Sequence, residues 1–244
     1  MRIPRFHVPQ AAPGARVFLP EHAAHHARQV LRLRAGAAVR VFDGAGEEFE
    51  ATLDVVARQG VQARLGARVA PCAESSLRLV VALSPLPGER MELVIQKATE
   101  LGVAEVWPVI TARTEAVARP ALSGSRDERW NKVASGAAEQ CGRAVVPRIA
   151  PTTTLEALIE APFAGPRIVL LETPGQQSLA AVSPRPTAVL LLIGPAGGWE
   201  PGEVDRLLAA GFTPAGLGPR ILRAETAALA ALVVAQVLWG DLLP

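Results

Sequence analysis

The spacing of apolar residues changes near residue 70, and with it the kind of element that the sequence predicts. Before that point, apolar and polar residues alternate over 61–69, and apolar runs at 39–42 and 49–55 flank an Asp-Gly turn, which is a hairpin pattern. Apolar residues between 20 and 34 recur at helical spacing and predict one helix. We therefore expect a small β-rich domain here, followed by a linker at 70–76.

The rest of the chain is predicted to alternate strands with helices. Continuous apolar runs, typical of strands buried on both faces, predict strands at 77–83, 103–110, 167–171 and 188–193, with a short one near 215–217. Apolar residues spaced i, i+3, i+4 and i+7 predict helices at 89–101, 130–141, 201–210 and 224–239. This alternation favours an α/β domain with a parallel sheet.

The last predicted helix, 224–239, is apolar almost all round. Such a helix is buried in a core or against a second subunit. Its many alanines allow close packing of another helix, so we expect it to form a homodimer face.

Composition narrows the class of protein. The 244 residues are 50% hydrophobic and 20% charged, which suits a packed core and excludes a disordered chain. Two cysteines exclude a disulfide scaffold and a four-thiolate metal site. The N-terminal segment MRIPRFHVPQ lacks the apolar stretch of a signal peptide, and no run approaches the roughly 18 apolar residues of a membrane span. We expect a soluble cytoplasmic protein with no membrane partner.

Charge is distributed unevenly along the chain. The net charge is only +2, but residues 1–70 hold 10 Arg against 6 acidic residues. Arginine forks match phosphate geometry, so the first segment is a candidate for contact with nucleic acid.

Several common kinds of site are excluded by their motifs. Neither lysine follows a glycine as a Walker loop requires, and no G-x-G-x-x-G or G-x-S-x-G occurs. All four histidines lie within the first 26 residues, and spacing fixes no acidic or thiolate partner for His22, His25 and His26. We expect these three on a solvated helix face and predict no metal.

Two loops remain as candidates for chemistry. In LLLIGPAGGWE (190–200) a buried strand leads into a glycine cluster, and ligands of open α/β sheets bind at that edge. In LGPRILRAETAA (217–228) apolar residues lie between charged ones, which suits a flat ligand such as a purine ring. The alternatives are an ordinary turn for the first, and for the second a loop with a helix cap from Glu225 or Thr226.

Five strings in this order resemble the RsmE family of the SPOUT superfamily, bacterial methyltransferases that modify N3 of a uridine in 16S ribosomal RNA. They are MRIPRF at the start, IQKATELGV (95–103), EQCGR (139–143), LLIGPAGG (191–198) and LGPRILRAETA (217–227). The resemblance covers essentially the whole chain. It implies a PUA-like β-barrel domain at 1–72, then a SPOUT methyltransferase domain at 73–244 whose parallel sheet ends in a C-terminal trefoil knot. It also implies a homodimer formed through the knotted domain and the last helix.

The resemblance further implies that S-adenosylmethionine lies between three loops. The cofactor-binding residues would be Leu171, Glu172, Ile193, Gly194, Pro195, Gly197, Gly198, Leu217, Gly218, Leu222 and Thr226. One position departs from the family, which usually has GPEGG where this chain has Ala196. Glu200 is a possible replacement for that carboxylate.

The imide proton on N3 must leave during the reaction. Arg143 and Arg223 would stabilise negative charge on the ring oxygens, and Glu225 is either the base or a helix cap. The expected RNA phosphate contacts, within 16S rRNA or the small ribosomal subunit, are Arg2, Arg5, Arg28 and Arg32.

Two other functions stay open at this level. The same fold could methylate another RNA such as transfer RNA. An RNA-binding module without activity is the other alternative, and Ala196 is the feature that supports it.

Overall fold

The computed structural model describes residues 3–114, 126–173 and 175–243. They fall into two compact units. The first joins Met1–Glu74 with Ser135–Val146, and the second joins Ser75–Ala134 with Pro147–Pro244. The domain bounds 1–72 and 73–244 stay a prediction.

The first unit is built on a mixed sheet. Its strands are β1 (Arg5–His7), β2 (Arg16–Phe18), β3 (Ala38–Phe42), β4 (Glu48–Ala57) and β5 (Gly60–Val69). Their order is β1–β3–β4–β5–β2, with β1 parallel to β3 and the other pairs antiparallel. The three predicted strands are confirmed as β3, β4 and β5. The two outermost strands are only three residues long, too short to show a period of two.

Helix α1 (Glu21–His25) continues directly into a π-helical turn, His26–Val30. The helix predicted between 20 and 34 is therefore present but shorter and partly π-helical. Its small residues Ala23, Ala24 and Ala27 are buried in the core of the unit, while His25 and His26 are exposed.

The second unit contains a parallel sheet, as predicted. Its strands are β6 (Arg78–Leu83), β7 (Glu105–Ile110), β8 (Arg148–Ile149), β9 (Thr153–Thr154), β10 (Arg167–Leu170), β11 (Ala188–Ile193) and β12 (Thr213–Ala215). The order is β12–β10–β11–β6–β7–β8, and β9 pairs with the end of β7. The central strands β6 and β11 are almost entirely buried, because helices cover both faces of such a sheet.

The helices of the second unit follow the predicted apolar stripes closely. They are α2 (Arg90–Glu100), α3 (Asp127–Cys141), α4 (Leu155–Glu160), α5 (Pro201–Ala209) and α6 (Ala224–Trp239), with a 3₁₀ turn at Leu179–Ala181. The short α4 was not predicted. Helix α3 contributes to both units, because its residues from 135 onward belong to the first.

Helix α6 packs against α2, β6 and β11. Its buried Gln236 donates from Nε2 to the carbonyl oxygen of Leu101 at 2.7 Å and accepts from Ser75 Oγ at 2.9 Å. The paired amide allows a polar side chain inside this helix packing.

The described residues contain no helix long and apolar enough to cross a membrane. Over the same residues, no group of three or more His, Cys, Asp or Glu side chains is placed to hold a metal ion.

Candidate functional site

A cavity of about 350 Å³ opens at the carboxyl ends of β10, β11 and β12. Because these neighbouring strands are parallel, their following loops meet at one edge of the sheet. The three loops begin at residues 171, 194 and 216. The volume lies within the range of small-molecule sites.

The cavity wall contains most of the residues predicted for cofactor binding or catalysis. These are Leu171, Glu172, Ile193, Gly194, Pro195, Leu217, Gly218, Leu222, Arg223 and Glu225. Gly197, Gly198 and Thr226 are not in the wall, and the Thr226 side chain is exposed. The structure thus brings together residues that are up to 54 positions apart in the chain, and their individual roles stay predictions.

Gly194 makes room for an aromatic ring beside the cavity. A Cβ atom at this position would lie 2.7 Å from the indole of Trp199, closer than real side chains pack. The indole Nε1 donates to the carbonyl oxygen of Leu170 at 3.1 Å. The tryptophan therefore ties the glycine loop to the end of β10, and Gly194 is required for that contact.

Gly197 and Gly198 shape this loop from outside the cavity. The Gly198 N–H donates to Pro195 O at 2.9 Å with a positive φ of 73°, a conformation that favours glycine. The Gly197 carbonyl oxygen accepts from Arg113 Nη1 at 3.2 Å. These two glycines thus set the course of the backbone at residues 195–198.

Glu203 connects the start of α5 to the segment that follows β7 through two hydrogen bonds. Its buried carboxylate accepts from the backbone N–H of Glu200 at 3.0 Å and from that of Ala112 at 2.8 Å. Glu200, the possible replacement for the family carboxylate, is exposed, lies outside the cavity wall, and has Arg113 Nε 3.9 Å from its Oε1.

Charged side chains of both signs face the cavity. Arg220 and Arg223 come from the loop before α6, and Arg90 comes from the start of α2. Glu225 lies in the first turn of α6, and its Oε2 is buried without a hydrogen-bond partner among the described residues. No side chain caps the start of α6, so the structure does not give Glu225 or Thr226 the role of helix cap.

Sequence reasoning missed several wall residues. Trp199 follows the glycine cluster and Arg90 follows the loop after β6, so the rule that ligands bind at the carboxyl ends of parallel strands could have found both. Ile221 is 76% exposed at the mouth of the cavity, next to Arg220.

Arg143 lies in the first unit and is not part of the cavity wall. Its guanidinium is buried and binds Glu74 through Nε at 3.0 Å and Nη2 at 2.6 Å. This ion pair links the segment after α3 to Glu74, the last residue of the first unit's N-terminal stretch. Its catalytic role stays a prediction.

Arg5 was expected to contact RNA phosphates, and that expectation is wrong. The side chain is buried and binds Glu48 through Nε at 2.9 Å and Nη2 at 3.0 Å. It also donates to the carbonyl oxygens of Ala138 at 2.8 Å and Arg143 at 2.9 Å. A further bond to Glu139 O at 3.4 Å engages its fifth N–H. Arginine has five N–H donors, so none remains for a phosphate.

The other predicted RNA contacts differ in availability. Arg32 is exposed. Arg28 is half-buried, and its Nη1 donates to the carbonyl oxygens of Ala57 at 3.0 Å and Arg58 at 2.9 Å. Arg2 lies outside the described residues.

A second, partly buried polar group of the first unit involves β1 and α3. Glu139 Oε1 accepts from the backbone N–H of His7 at 2.9 Å, and His7 Nδ1 lies 3.1 Å from Ser135 Oγ. Burial raises the pKa of Glu139 to about 6 despite that hydrogen bond and the charge of Arg5. Burial also lowers the pKa of His7.

Comparisons with known proteins agree with this architecture. An RNA methyltransferase domain model matches residues 73–236, and an RNA methyltransferase PUA domain model matches 19–66. Ribosomal RNA small subunit methyltransferase E of Synechocystis is 34% identical over 92% of this chain and 74% of its own. The Bacillus subtilis protein of the same name is 31% identical over 89% of this chain and 90% of its own.

Solved structures extend the similarity to the fold. A protein of Legionella pneumophila in complex with the bound cofactor SAM superposes with a TM-score of 0.93, at 33% identity over 99% of this chain and 100% of its own. Ribosomal RNA small subunit methyltransferase E of Neisseria gonorrhoeae, bound to S-adenosylmethionine, has a TM-score of 0.88, at 34% identity and the same coverage. The PUA-like N-terminal domain and the methyltransferase fold with its parallel sheet are thereby confirmed. The chain belongs to the ribosomal RNA small subunit methyltransferase E family, the RsmE family that its motifs resemble.

Proposed function

We propose that this protein transfers a methyl group from S-adenosylmethionine to N3 of a uridine in 16S ribosomal RNA. Membership of the family supports the reaction. The observation that carries the proposal is that one cavity, of about 350 Å³, is lined by all three loops that the family resemblance implies.

The cavity has the chemical features that S-adenosylmethionine requires. Leu217, Leu222 and Ile193 supply apolar surface suited to the adenine ring. Glu172 adds a carboxylate suited to hydroxyl or ammonium groups, and Gly218, whose Cβ position is open space, lets a ligand approach the backbone. S-adenosylmethionine, when bound, supplies a methyl group already activated by its sulfonium.

The charged residues of the wall would prepare the uracil. Glu225, in the cavity wall, would accept the N3 proton. Arg223, at the N-terminus of α6, and Arg220 place positive charge at the cavity, where it would stabilise the ring oxygens as the proton leaves. The protein thus aligns the base, holds the proton at Glu225 and keeps water away from N3.

We propose that the first unit binds RNA phosphates through Arg28 and Arg32. Arg32 is exposed. Arg28 donates from Nε and Nη1 to backbone carbonyl oxygens of the first unit, so its Nη2 would make the phosphate contact. In 16S rRNA or the small subunit these contacts would fix the orientation of the RNA without reading its sequence.

The C-terminal trefoil knot is part of this proposal. From β12 at the edge of the sheet, the chain returns to pack α6 against the central strands β6 and β11. The segment before β11 contacts the chain both just after β12 and at the end of α6. After β12, Gly216 N donates to Gln177 O at 3.0 Å, and at the end of α6, Trp239 O accepts from Arg185 Nη2 at 2.6 Å. Such contacts suit a chain that passes through a loop.

We also propose that the protein is a homodimer through this domain and α6, working in the cytoplasm. Val233 and Val237 of α6 are 37% and 38% exposed. Apolar side chains on the outer face of a buried helix suit an interface with a second copy.

The test is methyl transfer from labelled S-adenosylmethionine to small ribosomal subunits from cells that lack this protein. Mass spectrometry of the nucleosides should identify the product as 3-methyluridine. Label in transfer RNA but not in the subunits would refute the substrate. Failure to bind S-adenosylmethionine by calorimetry would refute the enzymatic activity and favour an RNA-binding module.

A further inference from the structure

The outer face of the sheet in the first unit carries an exposed aromatic side chain. Phe18 lies on the edge strand β2 and is 66% exposed. Its register neighbour on β5 is Gln62, whose neighbour on β4 is Val55, 43% exposed. The three therefore form one row across the sheet. The adjacent Val17 packs against the core instead, so Phe18 is not needed to build that core.

The Phe18 ring lies beside Gly60. A Cβ atom at Gly60 would lie 3.4 Å from the ring carbon Cδ1, within close packing distance. The ring thus rests near the backbone of β5 while two thirds of the residue stays accessible. The result is a supported aromatic surface.

Arginine side chains border this row. Arg16 and Arg64 face each other across β2 and β5, with side chains 65% and 54% exposed. Both lie 3.3 Å from the same carboxylate, Asp54. Two guanidinium groups share one negative charge, so this cluster keeps a net positive charge. Arg58, in the turn between β4 and β5, is exposed as well.

We propose that Phe18 stacks on an unpaired nucleobase of the RNA and that Arg16, Arg58 and Arg64 bind the flanking phosphates. Proteins bind single-stranded RNA by combining an aromatic face with positive charge along the backbone. The Gln62 amide beside the ring can donate to and accept from a base edge. This inference rests on the proposed RNA substrate and adds a site in the first unit.

The charges decide between this occupant and a protein partner. A protein interface has an apolar centre from which charged residues are depleted. Here the two apolar side chains are separated by Gln62 and bordered by arginines that outnumber their acidic partner. That arrangement complements a polyanion carrying bases.

The experiment measures binding of the full-length protein to a fluorescein-labelled single-stranded RNA of mixed sequence by anisotropy at fixed salt. Because Phe18→Ala removes the stacking contact with the base, it should raise the dissociation constant roughly 5- to 150-fold. Phe18→Leu keeps an apolar side chain but removes the aromatic face, so it should weaken binding similarly. Phe18→Trp should retain affinity. Leu208→Ala, which truncates a side chain 42% exposed in the second unit, should leave the dissociation constant unchanged.

Two further measurements separate the possible outcomes. Arg58→Gln should lower the slope of log K against log salt by about 0.7 to 1, because one phosphate contact is lost. Unchanged affinity of Phe18→Ala would overturn the site, and wild-type affinity of Phe18→Leu would show an apolar docking surface instead of stacking. Binding of S-adenosylmethionine to Phe18→Ala, measured by calorimetry, should equal that of the wild type. The inference thus fails or stands independently of the proposed reaction.

Discussion

Replacing Glu139 by Gln should stabilise the first unit at neutral pH. The carboxylate is half-buried between β1 and α3, and burial raises its pKa to about 6 from an ordinary 4.5. The folded state therefore holds this proton more tightly than the unfolded chain does. Protonation of Glu139 favours folding, and this contribution is lost as the pH rises through 6. Glutamine keeps an oxygen that can accept from the His7 N–H and carries no charge.

The expected magnitude follows from the pKa. One pKa unit corresponds to about 1.4 kcal/mol, so the charged carboxylate costs the folded state on the order of 2 kcal/mol above pH 6. Glu139→Gln should gain up to that amount at pH 7.5 and nothing at pH 4. The lowered pKa of His7 acts in the opposite direction, since its contribution is present above 6.5 and is lost as the pH falls. His7 is common to both proteins, so its effect cancels in the comparison.

The assay must report on the first unit specifically. All four tryptophans, at 107, 130, 199 and 239, lie in the second unit, so their fluorescence follows the wrong part of the molecule. Hydrogen exchange at the backbone amide of Val8, which donates to Phe42 O at 2.9 Å, gives the opening free energy of the sheet. Glu50→Gln, at an exposed position of β4 in the same unit, is the control for loss of one carboxylate. A difference between Glu139→Gln and wild type that is the same at pH 4 and 7.5 would refute this reasoning.

Three other experiments test the cavity and the buried ion pair. Leu217→Arg places a charge in the cavity wall and should abolish S-adenosylmethionine binding in calorimetry while the circular dichroism spectrum stays unchanged; undiminished affinity would mean that the cofactor lies elsewhere. Gly194→Ala pushes against the Trp199 indole and should shift its fluorescence and weaken cofactor binding, whereas an unchanged emission spectrum would show that the loop accommodates the methyl group. Arg5→Met leaves the buried Glu48 with only the more distant Arg40 Nη1, at 3.7 Å, and should cost up to about 3–5 kcal/mol in denaturant unfolding. Adding Glu48→Leu should recover much of that loss, and no recovery would contradict the assignment to the ion pair.

The elements with long apolar patterns were predictable from the sequence. The parallel sheet and its helices follow from continuous runs and stripes that depend only on neighbouring residues. The last strand shows the limit of this reasoning. It was predicted near 215–217, but β12 spans Thr213–Ala215. The apolar Leu217 lines the cavity and is not part of the strand.

The cavity was predictable because its loops follow strands whose edge is fixed by topology. The roles of the arginines were not predictable, because their partners lie far away along the chain. Arg5 meets Glu48 across 43 residues and Arg143 O across 138, and no local pattern distinguishes such a buried arginine from one that binds phosphate. Arg143 was likewise assigned by its motif, while Glu74, its partner, lies 69 residues away.

The order in which the chain is synthesised gives the Arg5 contacts a consequence for biogenesis. Arg5 and Glu48 are both made early, but the carbonyl groups that complete the arginine's bonding belong to residues 138–143. More than half of the 244 residues must leave the ribosome before the first unit can close. We expect a nascent chain that ends near residue 74 to stay sensitive to protease, and one that exposes residue 146 to become resistant. The first unit is thus completed only after much of the second has been translated.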